Sequence, residues 1–343
     1  MATIRSIAKQ ANVSIATVSK VLNGKSGVKE ETRQLILNVA QELNYRPNLN
    51  ARSLKSGKAR TIGIIAEDLT VFNTPEIIDG IAVECDSAGY HYVLANLRLF
   101  KRFGHHMPAP AEHTALIREA MDVLLSRQVA GVIYIGSHSH PVPLLSEYDE
   151  VPFVCAYCTC DTLPSVVYDD ETASYDLTER LLRRGADRIG MITGPVDSLH
   201  SMSRARGLMR ALYDHRVPYD PTLTLAGDWE RDSGYRLGAQ LLDAGVNAIY
   251  AQNDSMALGV LDCCGARGVT VGRDLLLVGF DNRDISQVCR PRLSTVALPL
   301  FEIGRTASAQ ILQLISGGER PALLTKLPCA VVERESTRCP SDG

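Results

Sequence analysis

Apolar positions in residues 3–45 recur at helical spacing. Ile4, Ile7, Ala8 and Ala11 form one face, and Asn12-Val13-Ser14 then interrupts it. Ser14 is a natural N-cap for a second helix carrying Ala16, Thr17, Val18, Val21 and Leu22, and Asn23-Gly24 is its stop. A third helix, from Lys29-Glu30 to Asn44, is predicted to bury Leu35, Ile36, Val39, Ala40 and Leu43. Two short helices joined by about four residues and closed by a third make a helix-turn-helix head. Pro47 breaks the pattern. Residues 48–55 have weak helical character, and Ser56-Gly57-Lys58 is a flexible exit.

After Thr61 the texture changes. Strand-like runs at 62–66, 92–95, 132–135, 153–156, 166–168, 189–193, 248–251 and 275–280 alternate with amphipathic stretches such as 76–88, 172–184, 232–244 and 255–267. Such alternation implies βαβ units and parallel sheets, and a segment this long should divide into two lobes. Ligands of such folds bind at the carboxyl ends of the strands. The fold class is therefore an all-α helix-turn-helix head plus an α/β two-lobed core.

Charge sharpens the division. Residues 1–60 hold six Lys and five Arg against three Glu, a balance of +8, which leaves −11 on the rest of a chain of net charge −3. A basic head on an acidic body points to a module that meets a polyanion. The chain is 45% hydrophobic and 22% charged, which excludes a disordered polymer. No apolar run is long enough to span a membrane. The first residues lack the apolar segment of a secretion signal, so a cytoplasmic location is expected. The nine cysteines are then expected as reduced thiols. Cys155, Cys158 and Cys160 lack a second ligand pair, and His105-His106 and His138-x-His140 could join them only if loops converged. No metal and no cofactor is expected.

The run Thr3-Ile4-x-x-Ile7-Ala8-x-x-Ala11-x-Val13-Ser14-x-x-Thr17-Val18-Ser19-x-Val21-Leu22-Asn23 resembles the head of the lactose/galactose repressor (LacI/GalR) family. Tyr45-x-Pro47-Asn48-x-x-Ala51-Arg52-x-Leu54 resembles that family's hinge helix. Asn253-Asp254-x-Met256-Ala257-x-Gly259, Val278-Gly279-Phe280-Asp281 and Val332–Thr337 extend the likeness over essentially the whole chain. The resemblance implies a bacterial transcriptional regulator, most often a repressor, acting as a homodimer under a small effector. It also implies a core like that of periplasmic sugar-binding proteins. The expected domains are a head at 1–46, a hinge and linker at 47–60 and a core at 61–340. Its N-lobe is expected at 61–160 plus 292–320 and its C-lobe at 161–291 plus 321–340, with crossovers near 158–162, 289–293 and 319–323.

In the head, Ser14, Thr17 and Ser19 carry short hydroxyls suited to phosphate oxygens. The family's base-reading positions fall on Ile15, Ala16 and Lys20. Lys20 can donate to guanine, and the other two offer apolar contact; simple helix packing would account for Ile15 and Ala16 as well. Asn23 and Lys55 complete the expected contact set on a near-palindromic double-stranded operator. Leu54, flanked by Arg52 and Lys55, is expected to wedge into a minor-groove step, folding from a linker as it binds.

In the core, Arg204 follows a strand-exit loop, Asp281 follows an apolar strand, and Trp229 is the chain's one tryptophan. A guanidinium fork, a carboxylate and an aromatic face suit a polyol or sugar ring, and the family's effector positions coincide with them. An internal ion pair and a core Trp would use the same residues otherwise. His200 and Asn253 join the set. Where many members carry an aromatic stretch, this chain has Val71-Phe72-Asn73-Thr74-Pro75, so the aromatic wall is expected to be displaced, or replaced by polar groups at Asn73 and Thr74. Arg98, Lys101 and Arg102, with His105 and His106 behind them, suggest an anionic sugar derivative as effector, unless that loop faces solvent or pads the dimer interface. A regulator controlled by a partner protein, or a sugar-processing enzyme, are the alternative readings. No nucleophile elbow or phosphate fingerprint supports the enzyme.

Overall fold

The computed structural model describes residues 3–22, 24–45, 59–104, 108–138, 140–142, 148 and 150–338. The chain forms two compact units, Met1–Ala59 and Arg60–Gly343. Asn23, Leu54, Lys55, His105 and His106, with most of the expected hinge, lie outside the described residues.

The first unit holds α1 (Ile4–Gln10), α2 (Ile15–Leu22) and α3 (Glu30–Glu42). Thr3 and Ser6 form a capping box at the start of α1. Ile7, Val18 and Ile36 are fully buried in a core completed by Ala8, Ala11, Val21, Val39 and Ala40. Leu35, expected inside, is 47% exposed because it lies one residue off the Ile36–Val39–Ala40 stripe.

The second unit begins with β1 (Thr61–Ala66), α4 (Thr74–Ser87), β2 (His91–Asn96), α5 (Leu99–Phe103), α6 (Pro110–Ser126), β3 (Gly131–Ile135), β4 (Phe153–Ala156) and β5 (Ser165–Tyr168). The second lobe comes next, with α7 (Asp170–Arg183), β6 (Ile189–Thr193), α8 (Leu199–Asp214), β7 (Thr224–Ala226), α9 (Arg231–Asp243), β8 (Ala248–Ala251), α10 (Asp254–Arg267), β9 (Leu276–Val278) and α11 (Asp284–Val288). The chain then returns through β10 (Thr295–Ala297), α12 (Leu300–Ile315), β11 (Leu324–Leu327) and β12 (Ala330–Val332).

One parallel sheet has the order β11-β5-β4-β3-β1-β2, and the other has β7-β6-β8-β9. Strands β3, β4, β5, β6 and β8 are buried along their whole length, as parallel strands covered by helices must be. Pairing corrects the expected crossovers. Ser165–Tyr168 and Leu324–Leu327 are expected in the C-lobe, yet both hydrogen-bond into the first sheet. Ser294 and Ala297 bridge to Val278 and Asp281, so the middle passage lies beyond Ala297 rather than at 289–293. The chain keeps its ladder bonds until the next helix starts, which carries each passage farther along the sequence.

Candidate functional site

A cavity of about 260 Å³ opens between the two sets of strand ends. Thr70, Val71 and Phe72 follow β1, Phe100 follows β2, His138 follows β3, and Tyr157 directly follows β4. From the other lobe come His200 and Arg204 after β6, Trp229 and Glu230 after β7, Asn253 and Ser255 after β8, and Asp281 and Arg283 after β9. Every lining residue thus sits past a carboxyl edge, where the fold leaves backbone and side chains free for ligands.

The second-lobe wall is organised around Arg204, which is buried. Its Nε donates to Asp170 Oδ1 at 2.7 Å, Nη1 donates to the Gln252 carbonyl, and Nη2 donates to the Tyr168 hydroxyl at 2.9 Å. The guanidinium carbon stands 3.7 Å from the centre of the Phe280 ring. His200 Nδ1 lies 2.6 Å from Asp170 Oδ2, and its ring stacks on Tyr168 with centroids 5.4 Å apart. Burial alone would raise the Asp170 carboxyl, but His200 and Arg204 outweigh it and hold it below its ordinary value. Asp281 differs. Its Oδ1 is 3.6 Å from Arg204 Nη2, too far for a good hydrogen bond. Burial, with the Asp254 charge behind it, outweighs the arginines and pushes Asp281 up to about 8. The fork expected to face the ligand is mostly engaged within the protein, and the gap beside Asp281 is where a hydroxyl fits.

Asn253 caps α10, accepting from Met256 N–H at 2.8 Å and donating to the Trp229 carbonyl at 2.9 Å. Trp229 in turn covers Gly194, where an added Cβ would stand 2.0 Å from the indole. Trp229 (φ 72°), Asp281 (φ 102°) and Tyr157 (φ 65°) all hold left-handed backbone. Strain of that kind, in three residues lining one cavity, marks a site whose side chains are aimed by the surrounding structure.

The first-lobe wall is built differently. Asp68 accepts from Thr70 N–H and Oγ1–H at 2.8 and 2.6 Å and from Phe100 N–H at 3.0 Å, tying the exits of β1 and β2 together. Asn73 and Thr74 do not line the cavity. Both are buried behind it, Asn73 donating to the Gly136 carbonyl and Thr74 to the Asp68 carbonyl. Their short polar side chains settle the start of α4, and Phe72 instead supplies an aromatic wall. Arg98, Lys101 and Arg102 are exposed and absent from the lining, since Leu99 is the residue of that turn that packs inward.

In the head, Ile15, Ala16 and Lys20 share an exposed face of α2 while Val18 and Val21 face the core. Ser14 Oγ accepts from Thr17 N–H at 3.1 Å and lies 2.8 Å from Thr17 Oγ1, so it caps the helix as expected. Ser19 is half-buried.

Of the residues singled out in the sequence, Arg204, Asp281, Trp229, His200 and Asn253 meet in one cavity. Phe100, Tyr157 and Arg283, with the supporting Asp170 and Tyr168, are not among those singled out. Position just past a predicted strand is the signal that points to Tyr157 and Asp170, which come within two residues of β4 and β5.

Residues 3–48 match the DNA-binding region of the bacterial regulatory proteins of the lacI family, and residues 178–337 match a periplasmic binding protein-like domain. Catabolite control protein A of Priestia megaterium is 30% identical over 342 residues, covering 98% of this chain and 99% of that one. The repressor CytR of Escherichia coli (strain K12) is 31% identical over 345 residues, covering 98% and 96%. Among solved structures, a lac repressor dimer bound to operator and an anti-inducer superposes with a TM-score of 0.82 at 26% identity, over 98% of this chain and 99% of that one. A complex of the regulator CelR with cellobiose gives 0.66 at 28% identity, over 98% and 100%. Helical head, two-lobed core and full-length likeness agree: the chain belongs to the LacI family of bacterial regulatory proteins and is a transcriptional repressor governed by a small effector.

Proposed function

We propose that the cavity takes a sugar or sugar derivative and that its occupancy sets the affinity of a homodimer for a near-palindromic operator. The observation that carries this is the pairing of aromatic faces at Phe72, Phe100 and Trp229 with the 3.6 Å gap between Asp281 and Arg204. A ring seated on the aromatic faces can place one hydroxyl in that gap, donating to Asp281 while accepting from Arg204. A ligand can bias DNA binding only by preferring one arrangement of the lobes, and a site drawn from both lobes meets that requirement. Ile15, Ala16 and Lys20 read base edges, while Ser14, Thr17 and Ser19 hold phosphates.

Trp229 makes the test direct. Purified protein is screened against neutral and acidic sugars and nucleosides by tryptophan quenching, and each hit is assayed on operator selected from random DNA. Hits should change operator affinity, and the selected sites should be two-fold symmetric. Selection of no symmetric sequence sinks the dimeric reading, and hits that leave operator affinity unchanged sink the effector reading. Arg98, Lys101 and Arg102 are outside the lining and give no support to an anionic effector. Any preference for an anion then rests on Arg283.

A further inference from the structure

Behind the first-lobe wall lies a carboxylate that effector contact does not explain. Glu67, the residue after β1, has no solvent exposure. Its Oε1 accepts from the Tyr134 hydroxyl and faces His140 Nε2, both at 2.7 Å, and its Oε2 accepts from Ser137 N–H and Oγ–H at 2.6 and 2.7 Å. His113 Nε2 is 2.8 Å from the same Tyr134 hydroxyl, which donates to Glu67, so the imidazole must be the donor there. Ser137 and His140 bracket His138, and His138 lines the cavity. We propose that Glu67 is a positioning residue for the effector cavity: through Ser137 and His140 it holds His138 in the first-lobe wall, and the hold is complete only while His140 carries a proton.

The proton is required by geometry. His140 Nδ1 lies 3.1 Å from the Pro141 carbonyl and Nε2 2.7 Å from the Glu67 carboxylate, so both ring nitrogens face acceptors. Only the imidazolium has two donors. The groups around it are Glu67 from the end of β1, His113 from α6 with its ring 5.8 Å away, and Tyr134 from β3, while Cys155 and Cys158 from β4 and its exit stand against Tyr134. Burial works against a charged imidazole at both histidines. At His140 the Glu67 charge and bond outweigh it and raise the pKa. At His113 burial prevails and lowers it, so one cation neutralises one anion. Because the folded pKa of His140 is raised, its contribution is fully present below the ordinary histidine value and is lost as pH rises through the folded value.

This rests on the reading of the cavity as the effector site, but its test needs no effector. Full-length protein labelled with ¹³C-histidine is titrated by NMR, with signals assigned from single His→Gln variants. His140 should titrate above the ordinary value of 6.5, and the His138 signal should bend at the same pH. Glu67→Gln should lower the His140 midpoint by about one pH unit, tenfold in proton affinity, and abolish the bend. His140→Gln leaves the bonds from Tyr134 and Ser137 to Glu67 in place. It must abolish the bend by itself, which keeps the test decisive should Glu67→Gln fail to fold. A His140 midpoint at or below 6.5, or a His138 signal blind to that titration, overturns the proposal and leaves the effector reading of the cavity standing.

Discussion

The two walls of the cavity bury carboxylates to opposite ends. In the first lobe Glu67 and Asp68 are held ionised: burial opposes them, and His140, Ser137, Thr70 and the N–H groups after β2 outweigh it, taking Glu67 down to about 2. They stand behind the surface as anchors, and the groups that reach the ligand are largely aromatic and aliphatic. In the second lobe Asp254 and Asp281 are pushed up, to about 7 and about 8, because burial outruns the donors offered to them. Asp170 is the exception there, since it has both Arg204 and His200. The first wall is a fixed platform, and the second keeps polar capacity in reserve. A site made this way can bind by stacking on one side and discriminate hydroxyls on the other.

Arg204→Ala should have the largest effect. It strands Asp170 in a buried setting, and breaking a buried pair from one side costs about 3–5 kcal/mol. A fall in Tm is expected together with loss of effector-dependent Trp229 quenching. A variant that keeps its Tm and still responds would show that the second wall is not organised by this residue. Arg204→Lys should not rescue it, because one ammonium cannot serve Asp170, Gln252 and Tyr168 in the directions of a planar fork.

The walls also differ in how far the sequence discloses them. Second-wall positions coincide with the effector positions that the family resemblance implies, so Arg204, Asp281 and Trp229 can be placed by residue. The first wall departs from the family at 71–75, and there side-chain chemistry misleads. Asn73 and Thr74 look like ligand-facing polar groups, but they meet the backbone at Gly136 and Asp68 instead. Glu67 directly follows a strand of apolar residues, and nothing local shows that His140, 73 residues away, will neutralise it. The crossovers are hidden for a related reason. Strand partners far apart in sequence decide which sheet β5 and β11 join, while their own apolar pattern fits either. The head is the most legible part, because its core rests on local helical spacing, and even there Leu35 falls outside the core that its apolar side chain suggests.

The opposite pKa shifts predict opposite pH responses. For Asp254 and Asp281 the folded state binds protons that the unfolded chain has released. They therefore add stability that is lost as pH rises from about 4 toward 7–8. Glu67 contributes stability that is present above 4.5 and disappears only as pH falls toward about 2. Thermal melts from pH 3 to 9 should show that Asp281→Asn flattens the neutral limb, by up to about 1.4 kcal/mol per pH unit. Glu67→Gln should alter the acid limb, which Asp281→Asn leaves in place, and through the lowered His140 pKa it should also change the slope above 6.5. An acid limb that Glu67→Gln leaves unchanged would erase the distinction between the walls.

Phe72 tests the platform. It is half-buried against the first-lobe core, yet its ring faces the cavity. Phe72→Ala should weaken effector binding about five- to tenfold, on the order of 1–1.4 kcal/mol for a lost stacking surface, and Phe72→Tyr should largely retain it. Calorimetry with the best ligand from the Trp229 screen measures this. Equal affinities for all three proteins would place the ligand wholly on the second wall.

The smallest expected effect lies where the walls touch. Arg283 belongs to the second lobe, and its guanidinium carbon stands 5.3 Å from the centre of the Phe72 ring in the first. The side chain is exposed, so water competes for the charge and the contact contributes about 0.5–1 kcal/mol. That is too little to matter for folding, and its backbone N–H still donates to Asp254 whatever the side chain. It is enough to bias a two-state lobe equilibrium two- to fivefold, about 0.4–1 kcal/mol on the same scale. Arg283→Ala should therefore leave Tm unchanged while shifting the effector concentration at half-response by that factor. Arg283→Lys should recover part of it, since an ammonium is also held by a ring face. If Arg283→Ala weakens acidic ligands alone, the residue serves as an anion contact on the second wall. If it shifts neutral and acidic ligands alike, and Phe72→Ala abolishes the difference, the residue acts as the clasp between the walls.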